Sequence, residues 1–64
     1  MNVDIVVERV RAEFEEMPGL TLTVVQAARL FGLEEPVCQR VVDRLVNADY
    51  LRRTGNGGVA RAAY

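Results

Sequence analysis

Histidine, lysine, serine and tryptophan are all missing from this 64-residue chain, and cysteine occurs once, at Cys38. Each absence closes off a chemistry. One cysteine forms no internal disulfide, and without histidine or a second cysteine there is no ligand set for a structural zinc ion. Without serine, histidine or lysine there is no nucleophile and base pair and no phosphate-binding lysine loop. The acidic pairs Glu15-Glu16 and Glu34-Glu35 are sequence neighbours, so on a helix their side chains diverge by about 100° instead of converging on a substrate. The chain is therefore expected to be no enzyme, to carry no cofactor and to bind no metal. No apolar run approaches the roughly 20 residues of a membrane span. The first residues, with Asp4 and Glu8, lack the basic start of a secretion signal. A cytoplasmic protein with no membrane partner is the simplest expectation.

What is present describes one small soluble domain over residues 1–64. Half of the residues are hydrophobic and 27% are charged. A domain of this size buries only about 60% of the surface its unfolded chain exposes, so its stability rests on close packing, with oligomerisation as a further source. The net charge of −1 hides an asymmetry. Residues 1–35 hold three Arg against seven acids, 3 − 7 = −4, whereas residues 36–64 hold five Arg against two Asp, 5 − 2 = +3. The positive field belongs to the C-terminal half.

Periodicity places the elements. Val3, Val6, Val7, Val10, Phe14 and Met17 recur at three- and four-residue steps, which predicts a first helix over about 3–17, capped by Asn2 or Asp4 and stopped by Pro18-Gly19. Its other face carries Glu8, Arg9, Glu13 and Glu16, with Ile5 beside them. Leu20-Thr21-Leu22 fits a very short strand. Thr23 and Gln26 form a capping box for a second helix over about 24–31, closed by Gly32 in the left-handed conformation. Pro36 suits the first turn of a third helix over about 36–48, whose buried stripe is Cys38, Val41, Val42 and Leu45. Gln39, Arg40, Asp43, Arg44 and Asn47 fall on its outer arc. From Tyr50 the period shortens, and two strands over about 50–63 flank Gly55-Asn56-Gly57, where Asn-Gly supplies the positive φ angles of a tight hairpin.

Helix, short strand, helix, tight turn, helix and hairpin is the element order of a winged helix-turn-helix, a mainly α fold with a small antiparallel β-sheet and a C-terminal β-hairpin wing. Ala27-Ala28 supply the small residues that two steeply crossing helices need, and Gly32 supplies the turn. On these residues the chain resembles winged-helix transcription regulators of the MarR and IclR type. The stretch from Leu20 to Leu33, and that from Cys38 to Thr54, look like their second helix, recognition helix and wing. The Met-Pro-Gly-Leu-Thr-Leu-Thr phrase and the Asp-Arg-Leu-Val-Asn-Ala phrase are also similar to small stand-alone bacterial winged-helix proteins. The resemblance covers roughly residues 18–61.

It implies a partner, double-stranded DNA. The third helix would enter the major groove, presenting Gln39, Arg40, Asp43 and Arg44 to base edges or phosphates. Thr23 would sit near the backbone, and Arg52, Arg53 and Arg61 would be wing contacts. Arg suits guanine edges and phosphates, and Gln suits adenine, because each offers two parallel hydrogen bonds. A monomer of this length reads one half-site, so a homodimer is expected. The pattern departs from these regulators at Glu34-Glu35-Pro36-Val37, where members commonly place Ser, Thr or basic residues, and two carboxylates there repel phosphate. A second reading stays open beside the first. Arg52 and Arg53 also serve as a charged hairpin edge that blocks strand pairing, and Arg40 and Arg44 as a solvated face balanced internally by Arg40–Asp43. Ile5, Val25, Leu30 and Val37 fall outside the buried stripes, so a protein-interaction module with a protein partner is the alternative function. Cys38 is expected to be a small core residue.

Overall fold

A computed structural model describes residues 2–62. Helix α1 spans Val3–Glu16 and is capped by Asn2, whose side-chain oxygen accepts from the Asp4 amide at 2.9 Å. Val6, Val7, Val10 and Phe14 carry its buried face. The stripe does not extend to Met17 as expected: Met17 is the C-cap and is 45% exposed. Pro18 is the reason, because a residue before proline is pushed out of the helical region, and Met17 takes φ −127° and ψ 80°.

Strand β1, Thr21–Thr23, leads directly into α2, Val24–Phe31. Both bonds of the capping box are made, from the Gln26 amide to Thr23 Oγ1 at 3.1 Å and from the Thr23 amide to Gln26 Oε1 at 2.9 Å. The helix closes at Gly32 with φ 67°, and the Leu33 amide reaches back to the Ala28 carbonyl at 2.8 Å. Helix α3, Glu35–Asn47, begins behind Glu34 with Pro36 in its first turn and no side-chain capping bond. It ends at Ala48, one residue outside the helix proper. There Asp49 takes φ 62°, the Asp49 amide donates to the Val46 carbonyl, and the Tyr50 amide donates to the Leu45 carbonyl.

The expected two-stranded ribbon is the outer part of a larger unit. Strands β2, Leu51–Arg53, and β3, Gly58–Arg61, form a hairpin, and β1 pairs antiparallel with the far edge of β3, giving the order β1-β3-β2. Thr21 faces Ala60 across one ladder, and Leu51 faces Arg61 across the other. Gly58 lets β1 approach, since a Cβ there would lie 2.9 Å from the Leu22 carbonyl oxygen. The hairpin tip also differs from expectation. Only Gly57 has positive φ, at 82°, and Asn56 does not. The Gly57 amide donates to the Thr54 carbonyl and the Thr54 amide to the Gly58 carbonyl. This is a three-residue loop, in which a turn is followed by a single left-handed residue, so one glycine suffices where a two-residue type I′ loop needs two positive φ angles. The wing's expected last residue, Ala63, lies outside the described residues.

One core joins these layers. Phe14 of α1, Val41 and Val42 of α3, Leu51 of β2 and Val59 of β3 are all essentially inaccessible, and no polar or charged side chain is buried among the described residues. The order of elements and their packing are those of a winged helix.

Candidate nucleic-acid interface

The inward stripe of α3 decides what its outer arc presents. With Cys38, Val41, Val42 and Leu45 turned to the core, Gln39, Arg40 and Arg44 are exposed and Asp43 is half-exposed. The strand β2 behaves likewise: Leu51 is buried, while Arg52 and Arg53 are exposed. Thr23 is occupied as the cap of α2, its hydroxyl oxygen accepting from the Gln26 amide.

Asp43 organises this surface. Its Oδ1 accepts from Gln39 Nε2 one helical turn earlier, at 3.2 Å, and from Arg53 Nη2 on the wing. The expected Arg40–Asp43 balance is therefore replaced by a tie between α3 and β2. Arg44 is held in turn by α1, its Nη2 lying 2.6 Å from Asp4 Oδ1. Val3, Arg40, Asp43, Arg44 and Asn47 line one shallow depression where the start of α1 meets this arc. Among the described residues Arg40 and Arg52 make no ion pair.

Arg61 stands apart from the other wing arginines. Its guanidinium lies 5.2 Å from the centre of the Tyr50 ring and 3.5 Å from Glu15 Oε2, and its side chain is only 20% exposed. Arg11 lies against the same ring at 5.1 Å, and the Tyr50 hydroxyl donates to the Arg11 carbonyl at 3.2 Å. Tyr50 thus pins the base of the wing to α1, and Arg61 belongs to that pin, not to the hairpin tip.

The structure adds Asp4 and Tyr50 to the residues that shape the surface. Asp4 was legible only as a candidate cap, because its partner is 40 residues away in sequence and nothing local signals the pair. Of the residues expected outside the core, Ile5, Val25 and Leu30 are exposed, at 62%, 47% and 57%, whereas Val37 is half-buried. Cys38 is buried and donates weakly to the Val24 carbonyl at 3.6 Å. Burial pushes its thiol above the usual cysteine range, with a smaller contribution from the nearby Glu35 carboxylate, so it is a core residue and not a reactive one.

Among the described residues no His, Cys, Asp and Glu cluster could hold a metal ion, and no helix is long and apolar enough to cross a membrane. A family model described as MarR family matches residues 12–62, from the second half of α1 to the end of the wing. No curated protein and no solved structure matches the chain.

Proposed function

The chain belongs to the MarR family, and from that premise we propose that it binds double-stranded DNA as a transcriptional regulator in the bacterial cytoplasm. In this reading α3 enters the major groove and the wing follows the phosphates. The observation that carries it is the Asp43–Arg53 tie, which keeps a wing guanidinium beside the outer arc of α3. Gln39, Arg40 and Arg44 then supply hydrogen bonds to base edges or phosphates, and Arg52 and Arg53 supply charge to the backbone. Thr23 contributes through the cap that orients the start of α2. Arg61 acts on DNA only indirectly, through the Tyr50 pin.

One α3 reads one half-site, so two copies, with their helices about 34 Å apart, would read a two-fold site. A homodimer is accordingly part of the proposal. The exposed Ile5 on α1 is a candidate contact for such pairing. The same residue, with Val25 and Leu30, supports the second reading, a protein-interaction module without DNA binding.

Fluorescence anisotropy against mixed-sequence duplex DNA, from low to physiological salt, separates the two. DNA binding should weaken log-linearly with salt. Replacing Arg52 and Arg53 together by Ala should lower affinity for all sequences and reduce the salt slope by about two, close to one per lost phosphate contact. Unchanged affinity and slope would overturn the wing's role, and absence of binding at low salt would turn the assignment to a protein partner.

A further inference from the structure

Two of the arginines assigned to DNA already hold carboxylates of the protein itself. Arg53 donates to Asp43, which also accepts from Gln39, and Arg44 donates to Asp4 at 2.6 Å. Three of the side chains assigned to DNA are thus engaged by two carboxylates. A carboxylate and a phosphate offer a guanidinium the same kind of target, paired oxygen acceptors in one plane, so they compete for it. Both ion pairs are accessible to water, with side-chain exposures of 49% and 46% for Arg53 and Asp43 and of 56% and 73% for Arg44 and Asp4. Exposed pairs of this kind are weak enough to exchange.

Resting on the DNA-binding reading above, we infer that Asp43 is a self-competing clasp: in the free protein it occupies Arg53 and Gln39, and DNA binds by displacing it. Asp4 acts on Arg44 in the same sense from α1. The clasp holds the wing against α3 before DNA arrives and lowers the affinity for any phosphate backbone, because a contact made by Arg53 or Arg44 costs one ion pair released. It also accounts for acids on a surface that must meet a polyanion. Asp43 is a positioning residue, and its carboxylate makes no favourable contact with the phosphates that replace it.

The clasp makes a prediction opposite to that for a residue contacting base edges. Asp43→Asn keeps the size and an acceptor for Gln39 but removes the charge. The control is Glu34→Gln, which removes an equal charge at the start of α3, where no arginine is paired to it among the described residues. In anisotropy titrations on mixed-sequence duplex, Asp43→Asn should tighten binding about two- to fivefold beyond the control, the range an exposed ion pair allows. Its salt slope should change by less than about one, because Arg53 neutralises the same phosphate in both proteins. In an Arg53→Ala background, Asp43→Asn should lose this excess and match Glu34→Gln.

A gain no larger than the control's, an equal excess without Arg53, or a loss of affinity would overturn the clasp while leaving DNA binding intact. If neither the unsubstituted protein nor Asp43→Asn binds at the lowest salt, the clasp and the DNA-binding reading fall together. Circular dichroism confirms that each variant is folded, and a ¹⁵N-resolved shift of the Arg53 guanidinium in Asp43→Asn reports the lost contact independently of DNA. No such shift would overturn the clasp.

Discussion

Asp49 is held at φ 62°, where an L side chain crowds its own backbone. The position is forced by how α3 ends: the Asp49 and Tyr50 amides must turn back to the Val46 and Leu45 carbonyls so that the chain can reverse into β2. Aspartate tolerates this conformation better than most residues, but glycine has no Cβ to strain. Asp49→Gly should therefore stabilise the domain by about 0.5 kcal/mol, raising the urea midpoint without changing the slope of the transition. A lower midpoint would show that the carboxylate contributes more than the strain costs. Tyr50, one residue on, is expected to start a strand but stands one residue before β2, and its role as a pin between Arg11 and Arg61 was not legible. A cation over a ring is a through-space contact with no periodic signature.

At the scale of elements, the junction of β1 and α2 is the most economical part of the fold. Thr23 is at once the last residue of a strand and the cap of a helix, so one backbone conformation, φ −75° and ψ 163°, serves both. The capping box was readable because it depends on two residues three apart. Thr23→Ala should cost about 1 kcal/mol, lowering the midpoint of thermal unfolding by several degrees for a domain of this size. Thr23→Ser should recover most of the loss, since the hydroxyl is the capping atom. That β1 adds to the hairpin was not readable. Pairing between Thr21 and Ala60 joins segments nearly forty residues apart, and a three-residue strand carries too short a pattern to name its neighbour. The hairpin tip shows a related limit. Gly55-Asn56-Gly57 allows either a two- or a three-residue loop, and the register between Arg53 and Val59 selects the longer.

For the whole molecule, the small size concentrates stability in few side chains. Phe14 is fully buried where α1 meets the rest of the core. Phe14→Ala should cost about 3–5 kcal/mol, much of the 5–15 kcal/mol that a typical domain has available. The variant should be largely unfolded at 37 °C by circular dichroism, and a cooperative transition near that of the unsubstituted protein would place the weight of the core elsewhere. The charge asymmetry acts at this scale too. The basic residues 36–64 form α3 and the wing, yet Asp4 of the acidic half folds back onto Arg44, and Glu15 onto Arg61. Charge summed along the chain therefore overstates the positive field that a partner meets.

The sequence by itself determined the helices, the capping box and glycine stop of α2, the buried stripes apart from Met17 and the winged-helix order, because these follow from spacings of three, four or two residues and from the backbone preferences of proline and glycine. It also determined which residues of α3 and β2 face outward, since whatever is not in the stripe is left on the arc. Only the tertiary structure decided how those outward residues are engaged. Asp43 could have balanced Arg40 on its own helix, and Arg61 could have stood free on the wing. Packing of α3 against β2 and of α1 against the wing's base brought Arg53 to Asp43 and Arg61 to Tyr50 instead. Such pairings depend on distances between elements far apart in sequence, and no local pattern encodes them.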